Sequence, residues 1–160
     1  MNSRSRKRVR YAPDLSGLQL RSILRVACRE ISSWRVVFIE ATTKPNCESI
    51  RILDFENTVN SSIAGKGVSQ GEIEELIDVV NQFINLEVCG FRDNSEMIGP
   101  RSKDDLEEIA DIKIEMVDSS YWEFSCLDDE INASLLKTIM SEASLCGSYP
   151  DNFSVESNLK

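Results

Sequence analysis

Carboxylates, guanidiniums and five thiols are the groups with which this 160-residue chain could do chemistry, because it contains no histidine. The missing imidazole removes the commonest general base, the commonest metal ligand and every histidine-dependent triad. What remains for acid/base or metal work is carboxylate pairs on one helix face. Glu74 with Asp78 and Glu75 with Asp78 supply only the minimal spacing, in a segment where acids also complement a helix dipole. Gly65-Lys66-Gly67 lacks the rest of a phosphate-binding loop, and no β-branched strand leads directly into it. The cysteines (Cys28, Cys47, Cys89, Cys126 and Cys146) are odd in number, widely spaced and mostly inside apolar patterns, which fits reduced thiols of a cytoplasmic protein. The residues therefore point away from an enzyme, and no catalytic residue, metal site or cofactor is expected.

Charge carries more information. Residues 1–35 have a net charge of +7, while residues 36–160 carry −16. A body of that sign repels nucleic acid and membrane surfaces and steers basic proteins toward it. No apolar run reaches the roughly 20 residues that span a bilayer, and the first ten residues do not read as a secretory signal.

The stretch that should position most of the core is Glu108 to Met140. Ile112, Ile114 and Met116 alternate with Asp111, Lys113 and Glu115; Trp122, Phe124 and Cys126 alternate with Tyr121, Glu123 and Ser125. Period-two alternation predicts two half-buried strands. For both apolar rows to share a face, Val117 must oppose Tyr121, leaving Asp118-Ser119-Ser120 as a three-residue loop and Glu115 directly across from Glu123 on the open face. Asp128 or Asp129 then caps a helix with Ile131, Leu135, Ile139 and Ala143 on one stripe, widened by Leu136 and Met140.

Upstream, residues 1–13 (with Arg4, Arg6, Lys7, Arg8 and Arg10) read as a basic flexible arm. Ser16 with Gln19 predicts a capped helix that ends near Ser32, with Leu20, Ile23, Leu24, Ala27 and Ile31 on its buried face. Arg21, Arg25 and Arg29 form a row on its other side, more suited to acids of the same protein than to phosphates. Trp34–Ala41 and Ser49–Phe55 read as a hairpin of buried strands. Ser69 with Glu72 opens a second capped helix with Ile73, Leu76, Ile77, Val80 and Ile84 inside. From Glu87 to Asp105 the periodicity fades, which predicts a loop of about 18 residues around Arg92 and Arg101. Residues 147–160 read as a loose tail. The expected fold is a single two-layer α+β domain over residues 14–146, in the order α-β-β-α-β-β-α, with antiparallel hairpins packed by helices.

The segment VDSSYWEFSCLDDE (Val117–Glu130), set between a strand and a closing helix, resembles stretches of the small acidic bacterial immunity proteins of polymorphic and contact-dependent toxin systems. The resemblance is confined to the hairpin–helix segment, about a quarter of the chain. It implies a non-enzymatic cytoplasmic inhibitor that docks on a cognate toxin domain, including a nuclease, and occludes its basic active site. The expected contact surface for that basic partner is Asp104, Asp105, Glu107, Glu108, Glu115, Tyr121 and Glu123. The alternative is a nucleic-acid-associated regulatory module working through the basic arm and the arginines of the first helix; nucleic acid is expected only by that route.

Overall fold

Alternation in the centre of the chain is strong enough to fix its own pairing, and the rest of the sheet grows on either side of it. The structure is a computed structural model that describes residues 7–11, 18–27, 29–47, 49–93, 102–145 and 154–157. In chain order the elements are β1 (Lys7–Tyr11), α1 (Leu18–Ala27), β2 (Ser33–Thr43), α2 (Ser49–Ser61), β3 (Lys66–Val68) and α3 (Gln70–Val79). There follow β4 (Val80–Phe91), α4 (Lys103–Ile109), β5 (Ile112–Val117), β6 (Tyr121–Cys126), α5 (Asp129–Leu145) and β7 (Ser154–Ser157). All the described strands join one antiparallel sheet in the order β3-β2-β4-β5-β6-β1-β7.

The hairpin β5–β6 has the predicted register, with Val117 opposite Tyr121 and Glu115 opposite Glu123. Its loop places Asp118 and Ser119 at φ of 46° and 53°, a left-handed conformation that costs energy for non-glycine residues. Neighbouring β4 holds it there: Ser119 N–H donates to the Ile84 carbonyl at 2.8 Å, Asp118 N–H donates to Asn85 Oδ1 at 2.8 Å, and Gln82 Nε2 donates to Ser119 Oγ at 3.0 Å.

The inner face of the sheet carries the main core. Trp34, Val36, Ile39, Leu86, Val88, Ile112, Ile114, Met116, Trp122, Phe124 and Cys126 pack against Leu20, Leu24 and Ala27 of α1, Ile73, Leu76 and Ile77 of α3, and Ile131 and Leu135 of α5. Both tryptophans are buried, and the Phe83 ring meets Trp122 edge-on at 6.0 Å. At Gly90 a Cβ would fall 2.7 Å from Trp34 Cζ3 and 2.6 Å from Ile112 Cγ2, so the absent side chain is what lets the indole lie on β4.

Helix ends follow local chemistry. Ser69 and Glu72 form the predicted capping box of α3, and Asp128 Oδ1 caps α5 by accepting from the N–H groups of Glu130 at 2.8 Å and Ile131 at 3.1 Å. Arg21 of α1 is bonded to Asp78 of α3, the intramolecular use expected for that row.

Several expectations are corrected. Ser49–Phe55 is the start of helix α2, not a strand: Ile52, Phe55 and Val59 fall on one helical face against the core. That helix also guards the edge of β2 beyond the three-residue β3. Asn60 Nδ2 donates to the Ile39 carbonyl at 2.7 Å, its Oδ1 accepts from Ile39 N–H at 3.1 Å, and Glu56 Oε1 accepts from Ala41 N–H at 2.6 Å. Side chains thus take the place of a neighbouring strand. The second helix stops at Val79, and Val80 and Ile84 belong to β4, which also claims Glu87–Phe91 from the expected loop. Helix α4 takes a further part of that loop. Lys7–Tyr11, expected within a flexible arm, pairs with β6, and Ser154–Ser157, expected within a loose tail, pairs with β1. Because α4 lies on the outer face, the helices do not form one layer. The order α-β-β-α-β-β-α gives way to the interleaved order above, within the α+β class. Ser16, Cys28, Arg101 and Cys146 lie outside the described residues.

Candidate functional site

On the outer face the register aligns two rows of side chains. One runs Phe38 (β2), Glu87 (β4), Glu115 (β5), Glu123 (β6); the other runs Arg35, Cys89, Lys113, Ser125 along the same strands. The first row sets three carboxylates across adjacent strands, which is repulsive unless a cation intervenes. Lys113 is that cation for Glu87 and Glu115. Its Nζ lies 2.6 Å from Glu107 Oε2, 3.0 Å from Glu115 Oε1 and 3.0 Å from Glu87 Oε1. The contact with Glu87 is an ion pair to a buried oxygen.

Helix α4 brings Glu107 to this cluster. Ser102 and Asp105 close a capping box around its first turn, with Ser102 N–H donating to Asp105 Oδ2 at 3.0 Å and Asp105 N–H donating to Ser102 Oγ at 3.2 Å. Leu106 and Ala110 then bury against Val37, Cys89 and Phe91 in a second, smaller apolar cluster. This cluster explains why β4 loses its alternation: Cys89 and Phe91 are buried on the face that should have been wet.

Burial, reinforced by a hydrogen bond with Glu107 and opposed by Lys113, pushes the Glu87 carboxyl up to about 7. Burial alone would lower the Lys113 ammonium, but its three carboxylates outweigh that and hold it charged well above the usual lysine range. Cys126 is buried and its thiol pushed up, the opposite of an activated nucleophile. Among the described residues no group of three or more His, Cys, Asp or Glu is arranged to hold a metal ion; the three carboxylates converge on an ammonium instead.

Of the expected contact residues, Glu107 and Glu115 are brought together at Lys113. Asp104 and Glu108 are exposed on α4, while Asp105, also exposed, is engaged in the cap. Tyr121 is half-buried at the start of β6. Glu123 is not on an open surface: only 5 % of it is exposed, and the register sets Arg10 of β1 directly across from it. The expected open face is closed there because β1 adds a strand beside β6.

Glu87 and Lys113 were missed as site residues. The dense β-branched and aromatic run Phe83–Phe91 was the available signal for the strand that carries Glu87; nothing local marked Lys113 as a hub. A further feature is Phe38, 38 % exposed, which a bulge in β2 turns onto the outer face opposite Glu87. Lys103 Nζ stands 5.8 Å from the centre of its ring. No protein-family model, no curated protein and no solved structure matches this chain.

Proposed function

We propose that the protein is a non-enzymatic, acidic binding protein of the immunity type, which neutralises a cognate toxin by covering its basic active site. The observation that carries the reading is the concentration of carboxylates on the outer face. Three carboxylates share one ammonium at Lys113, and α4 adds exposed Asp104 and Glu108 beside them. Such a surface attracts a basic cleft with fast, salt-sensitive association, and Phe38 at its margin offers an aromatic anchor. The contact surface in this reading is α4 with Phe38 and the rim of the Lys113 cluster; Glu123 drops out because it is buried.

The nucleic-acid alternative loses support where the arm becomes strand. Arg8 and Arg10 stand in register opposite Glu156 and Glu123, on a sheet whose outer face is acidic.

The test is capture from a native-host lysate on the immobilised full-length chain and on a variant with Asp104→Lys and Glu108→Lys, eluted with rising salt. The expected result is one basic protein retained by the wild type and lost by the variant, with both chains folded by circular dichroism. Equal retention by the two would remove α4 from the interface, and recovery of nucleic acid alone would reverse the reading.

A further inference from the structure

Helix α4 has seven residues, and Glu107 ties it to Lys113 on the sheet as the most exposed of the three carboxylates there. The other two, Glu87 and Glu115, are directly opposite each other on adjacent strands and cannot separate. Two fixed carboxylates, one carboxylate on a short helix and one ammonium make a set that is over-supplied with negative charge when every acid is ionised. We propose that the Glu87–Glu107–Glu115–Lys113 cluster is a proton-operated clasp, which holds α4 on the outer face while one proton is shared between Glu87 and Glu107 and loosens it when that proton leaves.

The geometry favours this division of roles. Glu87 Oε1 is buried, so ionising Glu87 adds charge where water cannot solvate it fully. The way to relieve that charge is to move Glu107, because β4 and β5 are locked by their ladder. Among the described residues, the charged groups near Glu87 are Lys113 and Glu115 on β5, Glu107 on α4, then Glu123 on β6 opposite Glu115 and Lys103 on α4 beside Phe38. Arg35 of β2 is turned to the carbonyls of Ala64 and Gly65, at 2.8 and 3.4 Å.

The sign follows from where the proton binds more tightly. With α4 closed, burial and Glu107 raise the Glu87 carboxyl from about 4.5 to about 7; with α4 open it returns toward the lower value. The contribution of Glu87 to closure is therefore fully present below about pH 4.5. The open fraction rises by up to about tenfold per pH unit toward neutrality and levels off above 7, where both states are ionised. Lys113 stays charged throughout that window. A chain without histidine has few other groups that titrate between pH 5.5 and 7.5, so the effect is not masked.

The experiment is hydrogen–deuterium exchange over residues 103–109 of the full chain from pH 5.5 to 7.5, corrected for intrinsic rates, in the wild type and in Glu87→Gln, together with a carbon-13 titration of the wild-type glutamate carboxyls. The expected result is that protection of α4 in the wild type falls severalfold or more across the window, while Glu87→Gln stays flat and better protected at pH 7.5. One glutamate carboxyl should titrate near 7 in the wild type. Parallel protection profiles for the two chains would overturn the proposal. So would a wild-type spectrum in which every glutamate titrates below 5.5, a result that does not depend on the variant folding. The clasp stands or falls separately from the toxin-inhibitor reading, since no partner enters the measurement.

Discussion

The two faces of the sheet are built from the same strands but held by different physics. On the inner face, rows such as Val36, Val88, Ile114 and Phe124 are apolar throughout, and α1, α2, α3 and α5 contribute to the core that buries them. Stability there is area removed from water, which is non-directional and indifferent to pH or salt. On the outer face a small apolar cluster under α4 borders a cluster of four ionisable groups. Stability there depends on charge balance, and breaking one partner leaves the rest uncompensated. The inner face makes the fold; the outer face gives the protein a surface that responds to its surroundings.

That contrast is sharpest in what single substitutions should do. Trp122→Ala removes a fully buried ring and its edge contact with Phe83, and should cost about 3–5 kcal/mol with no dependence on ionic strength, measured by urea unfolding at low and high salt. Lys113→Met leaves three carboxylates without their cation. It should cost about 2–3 kcal/mol near neutral pH, less at pH 5 and less in salt, because the group is only partly shielded from water. If Lys113→Met instead behaved like Trp122→Ala, insensitive to both, the contrast between faces would be wrong.

Smaller effects sharpen the same comparison at the margins. Asn60→Ala strips both hydrogen bonds from the Ile39 backbone at the edge of β2, and should cost about 1–2 kcal/mol and expose that edge, read as concentration-dependent aggregation in light scattering. Arg92→Ala removes an exposed pair with Asp128, 2.7 Å long, that neighbours the α5 cap. It should cost under about 1 kcal/mol in thermal unfolding and vanish in high salt, since the cap itself is made by Asp128.

The hairpin Ile112–Cys126 and the segment Ser49–Ser61 show what could be read in advance. In the hairpin, Ile112–Met116 and Trp122–Cys126 alternate with a period of two, so parity alone determined the register, the loop length and the Glu115–Glu123 pairing. In Ser49–Ser61 the residues Ile50, Ile52 and Phe55 suggested a strand. The helical spacing of Ile52, Phe55 and Val59 was also present, but its meaning depended on β2 needing cover along one edge. Glu87 was hidden for a related reason: β4 is apolar on both faces at its end, because α4 packs there, and alternation disappears when both sides are dry.

Local rules in the sequence determined the caps at Ser69 and Asp128, the buried positions Leu20, Leu24 and Ala27 of α1, Ile73, Leu76 and Ile77 of α3 and Ile131 and Leu135 of α5, and the central hairpin, since each depends on residues a few positions apart. Only the tertiary structure decided that β1 pairs beside β6 with Arg10 opposite Glu123, that α2 substitutes for an edge strand, and that Glu87, Glu107 and Glu115 meet at Lys113. Those outcomes join residues from separate elements, and no local periodicity encodes which distant carboxylates will share one ammonium.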